Sequence, residues 1–291
     1  MPELPEVQTI VDDLAAAGVV GRTITRATVR WPRSIGKPDP RTFCKRVCGR
    51  NILGIGRRAK YLVFALSDGI WMVVHLRMTG RFELLPARKS PAKHVHVVFA
   101  LDDGRQLQFH DTRKFGRFYL TEDPKRFFQA LGPEPLARDF TSRRLTAMLD
   151  GKRRQMKPLL LDQTFIAGLG NIYVDEALWT ARIHPLRPAQ SLSAKEITAL
   201  HKAIRSVLKQ GLRNSGTTLG RGAGNFYSLN QSGGRNATEL AIFRRNGLAC
   251  RRCGTTVERL IVSQRSTHVC PKCQPLQGPG DDRGRHSGIL R

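Results

Sequence analysis

The chain contains no run of eighteen apolar residues, so no segment of it reads as a membrane-spanning helix. Its first residues also lack the basic-then-apolar layout of a secretory signal. Acidic residues are scarce: 23 Asp and Glu stand against 49 Lys and Arg, a net charge of +26. A chain so short of acids is drawn to polyanions, and nucleic acid is the commonest of these. A ribosome-associated protein fits the same charge. A membrane surface fits it less well, because the basic residues run through the whole chain rather than along one amphipathic stripe. Cysteine is sparse too, six in 291 residues. In the cytosolic setting implied by the missing leader, six thiols point to metal binding or free cysteines rather than disulfides. There is no internal repeat.

The hydrophobic fraction is 40%, enough to bury the core of one large domain or two ordinary ones. Val7, Ile10, Val11 and Leu14 recur at helical spacing and Gly18 follows as a stop, so a helix leads the chain. Then the period changes. TITRATVRW, NILGIGRR, YLVFAL, IWMVVHL, HVHVVFAL, RQLQFH and RFYLTE are short β-branched or aromatic runs separated by turns such as SDG and DDG. They predict a β-sandwich or barrel over residues 1–130. From LGPEPL onward the pattern is helical, through TSRRLTAMLD, QMKPLLLDQ, NIYVDEALWTARI and SAKEITALHKAIRSVLKQGL. Ser193 and Glu196 form a capping box for the last of these. The helical domain is expected over 131–237, and its stretch 214–237, rich in Gly, Ser and Asn, reads as a mobile loop. The fold class is therefore multidomain α+β. A cysteine module follows at 238–273, and 274–291 reads as a disordered tail.

The module spells Cys250-x2-Cys253, sixteen residues, then Cys270-x2-Cys273. Four thiolates at this spacing suit one tetrahedral zinc ion, and four protein ligands leave no open position, so the zinc would be structural. The intervening ERLIVSQRSTHV can form a hairpin with Gln264, Arg265 and Ser266 at its tip. An arginine held there could fork onto a phosphate, or be one more solvated arginine. Cys44 and Cys48 read as two ordinary thiols on a short helix.

MPELPEV, RRAKYLVF, HLRMTG, DTRKFGR, LGPEPL, GLGNIYVDEAL and the cysteine module occur in that order over residues 1 to 273. As an ordered set they resemble the formamidopyrimidine-DNA glycosylase/endonuclease VIII family. The resemblance implies a β-sandwich with a leading helix, a helix-two-turns-helix domain and a zinc finger, with duplex DNA in a cleft between the domains. It implies a monomeric, cytoplasmic, nucleoid-associated enzyme that removes oxidised purines, 8-oxoguanine and formamidopyrimidines, from duplex DNA and then nicks the abasic strand by β,δ-elimination. Partners would be double-stranded DNA carrying oxidised bases or abasic sites.

It also implies roles for residues. The nucleophile would be Pro2, freed by removal of Met1, which is normally trimmed ahead of a small residue. A secondary amine gives an iminium that is always charged, and that charge acidifies the sugar for β-elimination. The amine must be neutral to attack; a free α-amino group titrates near ~8, and nearby cations push it lower. Glu3 would protonate the opening sugar ring. Glu6 would orient or relay, while also favouring the helix dipole. Lys60 and Arg265 would contact phosphate and assist β- and δ-elimination. Because the damaged base must be flipped out, Met78, Arg113 and Phe115 would fill the hole. Asn171, Lys152 and His94 would contact DNA, and Glu176 would help position the turn. Two departures stand out: Arg77 where the family usually has glycine, and Gly234-Arg235-Asn236 in the loop expected to enclose the base. Two other readings remain open here: an endonuclease VIII-like enzyme preferring oxidised pyrimidines, and a damage-binding zinc protein without catalysis.

Overall fold

The computed structural model describes residues 1–220, 222 and 225–276. The expected tail lies, from residue 277 on, outside the described residues. Contacts divide the chain into two units: Met1–Glu134 with Ile166–Leu169 and Leu208–Glu239, and Pro135–Phe165 with Gly170–Val207 and Leu240–Arg291.

The first unit opens with α1 (Leu4–Ala16), whose Leu4, Val7, Ile10, Val11 and Leu14 are all buried. Glu3 is its N-cap and Pro5 sits in its first turn, where a missing N–H costs nothing. Then come β1 (Ile24–Val29), β2 (Ile35–Lys37), α2 (Pro40–Val47), β3 (Ile52–Arg58), β4 (Tyr61–Leu66), β5 (Trp71–His75), β6 (Arg81–Pro86), β7 (Val95–Leu101), β8 (Arg105–His110), β9 (Arg117–Thr121) and α3 (Pro124–Phe127). One sheet runs β1-β7-β8-β6, all antiparallel. The other runs β2-β9-β5-β4-β3, with only the β2–β9 pair parallel.

The core holds a knot of phenylalanines from both sheets and α2. Phe109 meets Phe118 at 4.9 Å and Phe82 at 5.4 Å, both edge-on, with Phe43, Phe64 and Phe99 close by. Such edge-to-face pairs add specificity beyond the area they bury. All seven predicted strand runs form strands. Two strands went unforeseen. β2 is three residues long, and β6 ends in Pro86 and buries only Phe82, so neither shows a clear alternation. Cys44 lies on α2 and Cys48 caps it, both as free thiols.

The second unit carries α4 (Ser142–Leu149), α5 (Met156–Leu161), α6 (Asn171–Thr180) and α7 (Ala194–Arg213), the last running on past the unit boundary at Leu208. The capping box at α7 is present: Glu196 accepts from Ser193 N at 2.8 Å and Ser193 Oγ accepts from Glu196 N at 3.3 Å. Every residue of α6 from Ile172 to Leu178 is buried, so this helix is interior rather than amphipathic. β10 (Glu258–Val262) and β11 (Arg265–Val269) form the expected hairpin.

The 214–237 stretch, expected to be a mobile loop, makes specific bonds in the first unit. Thr217 bridges Arg235, and Leu229 N donates to Asp13 at 3.0 Å. Residues 221, 223 and 224 lie outside the described residues.

Candidate active site and nucleic-acid interface

Three acidic or basic groups of the first unit are buried where burial is expensive: Glu3 (2% exposed), Glu6 (1%) and Lys60 (5%). Pro2 is buried beside them in sequence. The two carboxylates are joined through the capping box, Glu6 Oε2 accepting from Glu3 N at 2.8 Å. Glu6 Oε1 accepts from Thr217 N at 2.7 Å. Gly216, at φ 81, is needed there, because a Cβ would stand 2.9 Å from Glu6 Cγ.

Lys60 closes the two-residue turn between β3 and β4, directly after left-handed Ala59 (φ 53). Glu134 holds that turn. Its carboxylate accepts from Arg57 Nη1 and Arg58 Nη1 at 3.0 Å each, and from Ala59 N at 2.5 Å. This gives the LGPEPL motif a physical purpose: its glutamate fixes the RRAK turn. The Gly-Leu-Gly turn before α6 packs against the leading helix. Gly168 (φ 98) accepts Leu4 N at 3.1 Å through its carbonyl, and a Cβ there would press on Leu4 Cδ1 at 2.8 Å. Its missing side chain accommodates the leading helix.

His75 lies near Lys60 at the end of β5. Burial first, then the charges of Arg77 and Lys60, hold its pKa down to about 3. It is therefore neutral, and its Nδ1 accepts from Arg77 N at 2.9 Å, which leaves the proton on Nε2. Arg77 adopts φ 57, a left-handed conformation that glycine reaches without strain. That accounts for the family's glycine here. Arg77→Gly is expected to raise the unfolding free energy by about 0.5–1 kcal/mol, read from urea denaturation; an unchanged or lower value would show that the turn carries no strain.

Met78 follows, half-buried, and Thr79 after it bonds through Oγ1 to Asp111 Oδ1. Asp111 is buried and also accepts from Arg113 N at 3.2 Å and Gly116 N at 2.7 Å. One carboxylate thus ties the Met78 loop to the Arg113–Phe115 loop. Phe115 is 47% exposed, and the Arg113 guanidinium lies 4.9 Å from its ring centroid. His94 is half-buried, edge-on to His110 at 5.7 Å.

In the second unit, Lys152 is exposed and Asn171 is the first residue of α6. Asn171 Nδ2 donates to Ser266 O at 2.9 Å, while its Oδ1 is buried without a partner. Lys157, fully buried, donates to the same carbonyl at 2.9 Å and to Asp175 Oδ1 at 2.6 Å. Asp175 Oδ2 accepts from His268 N and faces His268 Nδ1, both at 3.0 Å. Helices α5 and α6 therefore grip β11 at Ser266 and His268, just behind exposed Arg265. The hairpin turn is two residues, Ser263 (φ 46) and Gln264 (φ 60), both left-handed as a tight turn of this twist demands. Glu176 accepts from the N–H groups of Ala241, Ile242 and Phe243 at 2.8–2.9 Å, while burial pushes its pKa up. It positions the segment entering the finger.

The four sulfurs of Cys250, Cys253, Cys270 and Cys273 lie within 4.8 Å of one another, and none is in a disulfide. Sulfurs around tetrahedral zinc stand about 3.8 Å apart; Cys250–Cys273 is 4.0 Å and Cys253–Cys270 is 3.4 Å. The donor set fits one structural zinc ion. Trp179 Nε1 donates to Cys250 Sγ at 3.4 Å, a contact that would steady the thiolate.

Sequence reasoning missed Glu134, Thr79, Asp111, Lys157 and Asp175. Four of the five lie inside the quoted motifs (LGPEPL, HLRMTG, DTRKFGR and GLGNIYVDEAL), which was the signal available; Lys157 had none.

Sequence profiles of known families match the chain in three places. They are the formamidopyrimidine-DNA glycosylase N-terminal domain over 1–118, its H2TH domain over 131–221, and a zinc finger found in FPG and IleRS over 247–276. A formamidopyrimidine-DNA glycosylase of Protochlamydia amoebophila is 47% identical over 274 residues, 94% of this chain and 99% of that one. One from Roseiflexus sp. is 48% identical over 276 residues, 94% and 100% of the two chains. The Lactococcus lactis enzyme solved with Fapy-dG DNA superposes at a TM-score of 0.86 and 35% identity, covering 94% of this chain and 100% of that one. The same enzyme solved with abasic-site DNA gives 0.87 at 34% identity, covering 94% and 99%. With three domain matches in the expected order and identities well above the level at which families diverge, the chain belongs to the formamidopyrimidine-DNA glycosylase family.

Proposed function

We propose that this chain is a bifunctional base-excision repair enzyme that removes oxidised purines, 8-oxoguanine and formamidopyrimidines, from duplex DNA and then cleaves the abasic strand. The observation that carries the reading is the buried Glu3–Glu6 carboxylate pair directly behind Pro2. Burying two carboxylates at a helix start carries a desolvation cost that exposed acids serving the dipole would not incur. The naming of its relatives as formamidopyrimidine-DNA glycosylases, and the Fapy-dG and abasic DNA bound by a structural neighbour, favour oxidised purines over pyrimidines.

The chemistry follows from the groups. With Met1 removed, the neutral Pro2 nitrogen attacks the sugar C1′; the N–C1′ bond forms, the base leaves with the glycosidic electron pair, and the proton that the amine sheds on the way to an iminium passes to the departing base. Glu3 donates a proton to the ring oxygen as the C1′–O4′ bond opens, leaving a charged iminium. The iminium acidifies C2′–H, loss of that proton expels the 3′ phosphate, and a second elimination expels the 5′ phosphate. Lys60, in its braced turn, and Arg265, at the gripped finger tip, stabilise the departing phosphates. Met78, Arg113 and Phe115 form a wedge that replaces the flipped nucleotide in the stack, and Asn171, Lys152 and His94 hold the backbone. The zinc supplies no chemistry to the reaction; it holds the finger. This work is done wherever the chromosome lies, and no helix of the described residues is long and apolar enough to cross a membrane.

Borohydride reduction during turnover on a duplex with 8-oxoguanine opposite cytosine is expected to link protein to DNA covalently. Efficient nicking with no adduct would overturn the Pro2 iminium, and a catalytically inert protein that still binds lesions would favour the damage-sensor reading.

A further inference from the structure

Beside the loop bearing Arg113 and Phe115 is a cationic cavity of about 210 Å³ lined by Arg30, Trp31, Lys93, His94, His96 and Lys114. Of these only His94 has a part in the reading above. Lys114 stands between the two wedge side chains, and its φ of 60 turns the backbone left-handed. Arg113 and Phe115 consequently stack on each other, while Lys114 is sent elsewhere: its Nζ rests 4.2 Å from the centroid of the Trp31 indole. No carboxylate pairs with Lys114 among the described residues. The negative face of the indole takes that part.

Trp31 is itself secured to the loop by a second route. Arg30 N and Trp31 N both donate to His96 O, at 2.8 and 3.4 Å, and the indole packs on the His96 ring at 6.4 Å. His96 Nε2 stands 2.8 Å from the carbonyl of Asp111, the residue whose carboxylate collects Arg113 N and Gly116 N. The indole Nε1–H, meanwhile, is buried with no partner. An idle buried donor is a cost the fold avoids unless something else places the group. Here the ring is placed for its face, not its N–H.

We propose that Trp31 is a positioning residue which, through Lys114, holds the Arg113–Phe115 wedge in the shape that enters a duplex. The inference rests on the wedge reading. A single strand has no stack to fill, so an abasic site in single-stranded DNA needs chemistry but no wedge.

The test compares nicking of one abasic site in duplex and in single-stranded form. Trp31→Leu is expected to lower the duplex rate by about 2- to 5-fold, the range of one exposed cation–π contact, and to leave the single-strand rate unchanged. Trp31→Phe, which keeps a π face, should recover most of the loss. Lys114→Met should match Trp31→Leu, and the double variant should be no worse than either, because both remove one contact. Equal losses on both substrates would reveal a merely structural tryptophan and overturn the proposal. So would losses that multiply in the double variant, or a Trp31→Leu enzyme indistinguishable from wild type beside an impaired Arg113→Ala control. If Arg113→Ala itself discriminates nothing, the wedge reading fails, and the inference falls with it.

Discussion

Glu3→Gln should cut excision of 8-oxoguanine by about 10²- to 10⁴-fold, the usual yield of a positioned general acid. The substitution is chosen because it spares the fold. Glu3 is the N-cap of α1 in a capping box closed by Glu6, and glutamine keeps the side chain's length and its acceptor oxygen. What it loses is the proton that the opening sugar needs. Glu6, whose two oxygens already accept from Glu3 N and Thr217 N, has its geometry committed and cannot substitute. Single-turnover base release on an 8-oxoguanine duplex measures the effect, with a thermal melt as control. A Glu3→Gln enzyme of normal stability that excises within a factor of about ten of wild type would remove Glu3 from the role of acid.

Losing the metal should be as severe, by a different route. The finger has little core of its own: Ile242 and Val257 are the buried aliphatic residues clustered with Cys250, Cys270 and Cys273, and Trp179 of α6 packs against them from outside the finger. A structural zinc site of this kind contributes about 10–16 kcal/mol to its module, far more than two aliphatic side chains can. Each thiol must shed its proton to bind metal, so acid favours loss. The native protein should hold one zinc per chain. Stripping it, or Cys250→Ser, should abolish measurable lesion-duplex binding, because the hairpin that presents Arg265 no longer has a base. The Lys157–Asp175 pair would remain but would grip a disordered strand. A Cys250→Ser protein that binds lesion duplex with full affinity would refute any part for the finger in binding.

How much of this could be read in advance differs by element. The leading helix, seven strands and four helices were legible because each is a local signal: apolar residues at helical spacing, or a short β-branched or aromatic run bounded by turn residues. The zinc cluster was legible because its ligand spacing is itself local. β6 was hidden by its weak alternation, and β2 by its brevity. The bracing groups were hidden for a different reason. Glu134 meets residues some 75 positions earlier, Lys157 reaches Ser266 across 109, and Asp175 reaches His268 across 93. No periodicity announces such partners; a buried lysine in QMKPLLL looks like any other lysine until its carboxylate is found. Resemblance supplied the groups proposed to touch DNA. The structure supplied the contacts that hold their loops, and showed that Gly168 makes room for Leu4.

The Glu6–Thr217 bond spans 211 residues of sequence. Ribosomes add about 5–20 residues per second, so the amino-terminal helix waits on the order of tens of seconds before its partner exists. A nascent polypeptide halted before residue 217 would carry Pro2, Glu3 and Lys60 but not the Thr217 N–H that donates to Glu6 Oε1 in the finished fold. The bond therefore joins a group made at the start of synthesis to one made long after it.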